Sequence, residues 1–302
     1  MCRLFGFRSA VPSRAHRSLL EAENALSSQS QRHPDGWGIG YFVDSDAYVL
    51  KAGTSAHGSK RFAKASARLM SHTFVVHVRR ATVGSIDHLN AHPFRFGRWL
   101  FAHNGTVFAF NEGVRDWMLE RTEDVYHPLV LGDTDSEHLF FYLLTAMRRS
   151  GLDPSGHAPS HALVAGRAIR DALRALDELA RQRGHDRPIV NVLMTDGRTF
   201  VAHRAGMPLM LSTQKIQCAD FPTCTAMKVC MEPVRPAGFP VNHLLVASEP
   251  IGNDENRWED VPDGGTVILD GQFNLTMMDP IDGWTAPELP AEFRTAPTAP
   301  AK

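Results

Sequence analysis

The sequence predicts an α+β protein whose sheets are largely antiparallel. Strand-like segments dominate the first third of the chain, two long helical segments follow, and strand-like segments return up to about residue 271. The later strands are joined mostly by turns rather than by helices, which is typical of antiparallel neighbours. This order of strands, helices and strands favours an α+β fold over an alternating α/β fold.

In the N-terminal part, short apolar segments rich in aromatic and β-branched residues predict strands. Apolar residues at helical spacing after Ser13, a suitable N-cap, predict a helix over 14–31, and residues 57–70 also fit a helix. The predicted strands are CRLFGF at 2–7, GWGIGYFV at 36–43, YVLKAG at 48–53 and SHTFVVHVRRAT at 71–82, while 98–108 reads as strand, turn and strand.

The rest of the chain carries the two long helices and a second set of strands. A strongly apolar helix is predicted over 133–148, and an amphipathic helix over 160–183 ends before Gly184. Residues 285–302 are rich in Pro and Ala and predict a disordered tail, so that 2–284 form one domain. The later strands are predicted at 189–196, 199–205, 243–250 and 265–271.

Composition excludes several classes of protein. The chain has 302 residues, of which 43% are hydrophobic and 22% charged, and its formal net charge of −1 gives no attraction to nucleic acid or to anionic membranes. No apolar run is long enough to cross a bilayer, and the first residues lack a secretory signal. Four cysteines do not form a disulfide framework. We expect a soluble cytoplasmic protein with reduced thiols.

Cys2 is the first residue that the sequence marks for chemistry. If Met1 is removed, Cys2 carries both a thiol and the α-amino group, whose ordinary pKa values are about 8.5 and about 8. The amine is a competent general base and the thiol a strong nucleophile, so one residue would supply both groups. The alternative is that a cysteine stands at this position by chance.

Six segments in a fixed order strengthen the catalytic interpretation. Together they resemble the class II glutamine amidotransferase family across roughly residues 2–140, and more loosely to about 270. The stretch His33–Gly38 is most similar to the stand-alone bacterial members, near which the ergothioneine-pathway γ-glutamyl hydrolases stand. The resemblance implies the N-terminal-nucleophile fold, an αββα sandwich of two antiparallel sheets between helices. The segments are MCRLFGF at 1–7, RHPDGWGIGYF at 32–42, HVRRATVG at 77–84, NAHPF at 90–94, FAHNGTV at 101–107 and GDTDSEH at 132–138.

The resemblance also implies a pocket for a γ-glutamyl amide. Arg79 matches the arginine that binds the substrate α-carboxylate, for which a planar guanidinium is suited. Asp135 matches the residue that receives the α-ammonium group, and Thr82 and His92 match further positions of the pocket. Without the motifs, Arg79 could equally be a surface arginine, and Asp133 or Asp135 could cap the following helix.

Asn104 and Gly105 match the oxyanion hole of the family, where an amide side chain and a backbone N–H meet the charge that develops on the carbonyl oxygen. From the residues alone, Asn-Gly also predicts a two-residue hairpin turn, which would present the same donors. Arg32 and Asp35 match an Arg-x-x-Asp element near the nucleophile, and Arg32 could favour the thiolate.

Three further cysteines lie in the segment 214–242, which is long for a loop and could cover the active site or contact a partner. Cys218, Cys224 and Cys230 are too far apart in sequence for a structural zinc site, so we predict no metal site.

The reaction that the resemblance implies runs through a thioester on Cys2 and needs no metal or organic cofactor. It releases glutamate together with ammonia or an amine. His33, Arg80 and Val83 depart from the pattern of the sugar-aminating relatives, which leaves the substrate open. Three hypotheses remain: a hydrolase of glutamine or another γ-glutamyl compound, a glutaminase subunit that feeds ammonia to a partner protein, and a catalytically silent scaffold.

Overall fold

Two antiparallel sheets lie face to face in the computed structural model, which describes residues 2–156, 161–216, 240–252, 255–280 and 284–287. The strands are β1 (Arg3–Ser13), β2 (Gly36–Val43), β3 (Asp46–Ala52), β4 (Ser71–Arg79), β5 (Phe94–Phe96), β6 (Trp99–Thr106), β7 (Ile189–Thr195), β8 (Phe200–His203), β9 (Met210–Lys215), β10 (His243–Ala247), β11 (Asn256–Asp260), β12 (Thr266–Leu269) and β13 (Leu275–Met278). The first sheet has the order β11-β9-β10-β1-β4-β2-β3, and the second has the order β13-β12-β8-β7-β6-β5.

Helices cover the outer face of both sheets. The helices Val114–Arg121, Asp135–Arg149 and Ala162–Arg183 pack on the second sheet, and Leu26–Gln29 and Lys60–Arg68 lie with a π-helical turn on the first. In the described part of the chain, no helix is both long and apolar enough to cross a membrane. The helices are α1 (Leu26–Gln29), α2 (Lys60–Arg68), α3 (Val114–Arg121), α4 (Asp135–Arg149) and α5 (Ala162–Arg183), and the shorter turns are Arg17–Glu21, Phe110–Glu112 and Asp124–Leu129.

The alternation of side chains along each strand produces three apolar layers. On β1, Leu4 points into the core between the sheets, whereas Phe5 and Phe7 pack under the helices of the first sheet. On β6, Leu100 enters the central core and Phe101 the layer beneath α4. This arrangement is the predicted αββα sandwich, so the expected fold class is confirmed.

The predicted helix over 14–31 is wrong. The chain forms only the π-helical turn Arg17–Glu21 and the single turn of α1, because Asn24 adopts a left-handed conformation with φ of 58°. The Asn24 side chain donates to Glu249 Oε2 at 3.0 Å and to the Pro250 carbonyl at 3.1 Å. These contacts with a segment remote in sequence outweigh the local helical pattern.

The predicted turn at Asn104-Gly105 is also wrong. β6 runs without a break from Trp99 to Thr106, and its residues pair with β7, including Asn104 with Asn191 and Gly105 with Val190. An Asn-Gly pair makes a hairpin only where the chain folds back on itself, and here a strand from the second half of the chain is the partner.

Other predictions agree closely with the structure. β2 has the predicted bounds, and α5 ends before Gly184, whose φ of 69° is the left-handed conformation that favours glycine. The pattern did not reveal β5, β11 and β13, and β9 reaches into the segment predicted as a loop. Cys218, Cys224, Cys230 and most of the predicted tail lie outside the described residues.

Candidate active site

The predicted nucleophile lies at one rim of the sandwich, where β1 begins beside the end of β4. Because the two strands are antiparallel and pair Arg3 with Val78, the chain leaving β4 passes next to Cys2. The Cys2 thiol accepts a hydrogen bond from the Arg80 backbone N–H at 3.2 Å and donates to the Arg80 carbonyl at 3.3 Å. The thiol is thus held by the segment that also carries Arg79.

The environment of Cys2 favours the neutral thiol. The residue is half-buried, and loss of water around the sulfur raises the pKa of its thiol. The Arg80 hydrogen bond and the positive charge of Arg79 lower this pKa, while the negative charge of Asp135 raises it. A base close to Cys2 would therefore assist formation of the thiolate.

Arg79 is buried at the end of β4 and shapes the loop that follows. Its guanidinium donates to the Ser85 carbonyl and to the Val83 carbonyl, both at 2.8 Å. A guanidinium has five N–H donors, so these two bonds leave others for a ligand.

Asp35 holds the same loop from the opposite side, whereas Arg32 does not reach it. The Asp35 carboxylate accepts from the Ala81 N–H at 2.9 Å, and the Asp35 N–H donates to the Arg79 carbonyl at 3.0 Å. Arg32 is exposed, and within the described residues its guanidinium has no hydrogen-bond or ion-pair partner. The structure thus assigns Asp35 a supporting position and leaves thiolate stabilisation by Arg32 a prediction.

Asp135 opens α4 but does not cap it. The cap is Thr134, whose hydroxyl accepts from the Glu137 N–H at 3.3 Å, so the alternative of capping by Asp133 or Asp135 is wrong. Asp135 is buried, and its carboxylate accepts from the Val107 N–H at 2.8 Å and from the Ser136 hydroxyl at 3.1 Å. These bonds fix the carboxylate against the end of β6.

Asn104 and Gly105 occupy the end of β6 nearest to α4. The Asn104 amide donates to the Ser248 hydroxyl at 3.4 Å, and its second N–H remains for another acceptor. Gly105 permits a close approach, because a Cβ there would lie 1.7 Å from the Ile189 carbonyl oxygen.

The remaining predicted pocket residues differ in their exposure. Thr82 is exposed, and its hydroxyl lies 3.5 Å from that of Thr106 at the end of β6. His92 is buried, and its ring lies 4.3 Å from that of His77 between ring centroids. Burial lowers the pKa of both histidines well below the usual value, so both rings are neutral at pH 7. The buried His92 ring packs against the rings of His77 and Phe94, and its contact with a substrate stays a prediction.

Sequence reasoning missed Ser248, which directly follows β10. Its hydroxyl accepts from the Leu4 N–H at 3.0 Å as well as from Asn104, and the Ser248 N–H donates to the Leu4 carbonyl at 3.1 Å. Ser248 therefore connects the strand of the nucleophile to the predicted oxyanion donor. A serine after an apolar strand is too common for the sequence alone to have singled it out.

Sequence reasoning also missed the role of His103. Its ring is buried between the Ser136 hydroxyl at 2.9 Å and the Ile189 carbonyl at 3.1 Å, and it thereby joins β6, β7 and the start of α4. The motif FAHNGTV contained this histidine, but nothing in the spacing distinguished a structural ring from a catalytic one.

The site thus has a thiol whose pKa is influenced by two buried side chains of opposite charge, Arg79 and Asp135. Such an arrangement can bind a zwitterion and stabilise an oxyanion. No group of three or more His, Cys, Asp or Glu side chains in the described part of the chain could hold a metal ion.

Comparison with known proteins identifies relatives of this chain. The family model described as glutamine amidotransferases class-II matches residues 1–291. The protein named "Probable glutamine amidotransferase DUG3" from Saccharomyces cerevisiae is 27% identical over 335 residues, covering 100% of this chain and 90% of its own length. The γ-glutamyl-hercynylcysteine sulfoxide hydrolase of Mycobacterium tuberculosis is 33% identical over 117 residues, covering 35% of this chain and 50% of its own length.

A solved structure supports the same fold. The glutamine aminotransferase class-II domain protein from Silicibacter pomeroyi superposes with a TM-score of 0.59 at 19% sequence identity. The match covers 92% of this chain and 99% of the other. At this level of identity the likeness concerns the fold alone.

Proposed function

We propose that this chain, which belongs to the class II glutamine amidotransferase family and is an enzyme of that kind, uses Cys2 to attack the γ-amide of glutamine or of another γ-glutamyl compound. The observation that carries this proposal is that the Cys2 thiol is hydrogen-bonded to Arg80, next to Arg79, and that the charges of Arg79 and Asp135 shift its pKa in opposite directions. The α-carboxylate and α-ammonium groups of a γ-glutamyl substrate have the complementary charges.

The two charged residues are suited to these roles by their remaining hydrogen-bonding capacity. Arg79 has unused N–H donors for the carboxylate, and the Asp135 oxygens can each accept further bonds beside those from Val107 and Ser136. Both side chains are buried and fixed by backbone contacts, so a bound zwitterion would meet groups already oriented for it.

The chemistry requires removal of Met1, which frees the α-amino group of Cys2. The amine takes the thiol proton, and the sulfur attacks the γ-carbonyl carbon while the oxyanion is received by the Asn104 amide and the Gly105 N–H. Collapse of the intermediate breaks the C–N bond, the leaving amine takes the proton, and a γ-glutamyl thioester remains. Water then gives a proton to the α-amine and attacks the thioester, which releases glutamate and restores the thiol.

The two candidate functions differ in the group that leaves the γ-carbonyl and in what receives it. The name of the Mycobacterium tuberculosis relative describes a γ-glutamyl hydrolase, which favours a γ-glutamyl amide hydrolase as the first candidate. Its proposed location, the cytoplasm, rests on the sequence analysis alone. A glutaminase subunit that passes ammonia to a partner protein is the second candidate, favoured by the amidotransferase relative that covers the whole chain. A hydrolase should show its full activity as an isolated protein, whereas a glutaminase subunit should show weak activity until its partner protein is added.

The intact mass of the purified protein, before and after reaction with a diazoketone analogue of glutamine, tests the proposal. We expect loss of the Met1 mass and one covalent adduct, which Cys2→Ala abolishes. A protein that keeps Met1 and gains no adduct would contradict the mechanism. Loss of Met1 without an adduct would leave Cys2 as the proposed nucleophile but would exclude glutamine as its substrate. Other γ-glutamyl amides would then be screened for release of glutamate.

A further inference from the structure

A cavity lies at the end of β1 that is remote from Cys2. Its volume is about 750 Å³, within the range of small-molecule sites. One wall is the far part of β1 at Arg8, six residues along the strand from Cys2 and thus about 20 Å away. The other walls are the start of β4, the turn between β7 and β8, the residues after β12 and the start of α5.

Arg8 is a buried cation in the wall of this cavity. It is only 4% exposed, its guanidinium donates to the Gly197 carbonyl and lies 4.5 Å above the centre of the Phe273 ring, and its Nε has no partner. Burial lowers the pKa of Arg8 to about 10, so the group is still charged at neutral pH. In the described part of the chain, Arg8 forms no ion pair with a carboxylate.

The carboxylates whose charge acts on Arg8, those of Asp196 and Asp270, accept hydrogen bonds from residues that follow them in sequence. Asp196 Oδ1 accepts from the Arg198 and Thr199 N–H groups at 2.9 and 2.6 Å. The Asp270 carboxylate accepts from the Gln272 N–H, the Asn274 N–H and the Asn274 side chain, each at 2.8 Å. Asp196 and Asp270 therefore favour the charged form of Arg8 without pairing with it directly, and an anion in the cavity would give this buried cation a direct partner.

The N-terminus of α5 faces the same space. Ala162 and Leu163 line the cavity, and α5 is 22 residues long. Its N-cap residue His161 makes no side-chain capping bond, and its first turn contains no acidic residue. The first N–H groups of a helix have no partner within the helix, and together with the helix dipole they favour an anion.

The remaining walls combine positive charge and aromatic surface with the carboxylates of Asp44 and Asp270. Arg98 donates to the Asp196 carbonyl at 3.2 Å, and Arg198 is exposed at the mouth of the cavity. Phe42 and Phe273 supply apolar faces. Guanidinium groups and helix N–H groups offer more donors than the two oxygens of a carboxylate can use, whereas a phosphate offers three oxygens and a charge near −2.

We propose that this cavity is a second binding site, separate from the γ-glutamyl site, for a small organic phosphate whose apolar part contacts the phenylalanine rings. Arg8 and the first turn of α5 bind the phosphate oxygens, and Arg198 adds charge at the entrance. Neither the proposed reaction nor Cys2 is required for this binding.

Isothermal titration calorimetry of the full chain with phenyl phosphate, AMP and inorganic phosphate tests the site directly. We expect phenyl phosphate or AMP to bind about tenfold more tightly than inorganic phosphate, because the rings add apolar contact. Tighter binding of AMP than of phenyl phosphate would identify a nucleotide as the source of the phosphate, and the reverse order would identify a phosphate without a nucleobase.

Leu163→Asp is the decisive variant, because an acidic residue in the first turn stabilises a helix but repels an anion there. We expect it to weaken phenyl phosphate binding at least about tenfold, while Leu163→Ala changes it less than about threefold. Arg198→Ala should weaken binding about three- to tenfold, and Arg68→Ala, which removes an exposed arginine from α2, should leave it unchanged. Thermal unfolding of each variant verifies that it is folded.

Three outcomes would overturn the proposal. One is the absence of binding of any organic phosphate at about 10 mM, since specific sites bind far more tightly. Another is equal weakening by Arg68→Ala and Arg198→Ala, which would indicate non-specific attraction. The third is binding that Leu163→Asp leaves intact, which would place the ligand elsewhere on the protein.

Discussion

Ser248 contributes to the candidate site through another residue rather than by touching the substrate. Its hydroxyl accepts from the Leu4 N–H and from the Asn104 amide, so it sets the position of the predicted oxyanion donor relative to β1. Because Asn104 is fully buried, its amide has few alternative partners once this hydroxyl is removed. A positioning residue of this kind affects the transition state more than the binding of the substrate.

We therefore expect Ser248→Ala to lower kcat about tenfold with little change in KM, since the donor is misplaced rather than lost. The free energy of unfolding should fall by about 1–3 kcal/mol because the buried Leu4 N–H loses its side-chain acceptor. Steady-state kinetics of glutamate release and urea unfolding measure the two effects.

Ser212→Ala is the matched control for this experiment. Ser212 is equally buried on β9 beside β10, and its hydroxyl donates to the Gln214 carbonyl at 3.1 Å, away from Cys2. Its loss should reduce stability to a similar degree and leave kcat unchanged. If both variants lose the same activity, the effect of Ser248 is one of stability and its positioning role is refuted.

At the scale of elements, the start of α4 determines where the predicted ammonium-binding carboxylate lies. Thr134 caps the helix, and Asp135 follows directly with its carboxylate bound to the Val107 N–H of the segment after β6. Loosening of the first turn should therefore move the carboxylate away from the end of β6. Helix capping and substrate binding are coupled here through adjacent residues.

Thr134→Ala should lower the free energy of unfolding by about 1 kcal/mol, the usual cost of losing a cap, and raise KM severalfold. Thr134→Ser, which retains the hydroxyl, should restore both values. Ser59→Ala provides the control, because the Ser59 hydroxyl caps α2 in the same way by accepting from the Phe62 N–H at 3.2 Å. An equal change in KM for Ser59→Ala would contradict the coupling.

The same elements show how far the sequence can predict this structure. β2, β4 and α5 were predictable because each has a strong local pattern and, for α5, a terminal glycine. The structure of residues 14–31 was not predictable, since Asn24 forms a hydrogen bond with Glu249, which lies 225 positions away in the sequence. Short edge strands such as β13 carry too few residues for a periodic signal.

The candidate site could also be predicted only in part from the sequence. Motifs in a fixed order marked Cys2, Arg79 and Asp135, and in the structure the charges of Arg79 and Asp135 both shift the pKa of the Cys2 thiol, while the roles of the three residues stay predictions. The environment of Asn104 was not predictable, because its strand partner Asn191 and its hydrogen-bond partner Ser248 come from the second half of the chain. Contacts between distant segments carry no local pattern, so a single sequence cannot reveal them.

At the scale of the whole molecule, buried neutral histidines make the sandwich sensitive to acid. Burial lowers the pKa of His203 to about 4 and that of His243 to about 3, and the same cause lowers the pKa of His77 and His92. An unfolded histidine has a pKa of about 6.5. Between these values the unfolded chain binds protons that the folded chain does not.

The free energy of unfolding should therefore be highest above about pH 6.5 and fall as the pH decreases below it, because the unfolded state binds more protons in this window. At pH 5, His203 and His243 should each cost about 2 kcal/mol, from about 1.4 kcal/mol per pH unit. Urea unfolding at pH 7.5, 6.5, 5.8 and 5.0 measures this loss while most carboxylates remain ionised.

His203→Gln should flatten this dependence, because it removes one of the groups that take up a proton on unfolding, even if it lowers stability at pH 7.5 by breaking the 2.9 Å contact with the Thr266 hydroxyl. A free energy of unfolding that is equal at pH 7.5 and pH 5.0 would contradict this prediction, because it would show that these rings gain protons in the folded protein.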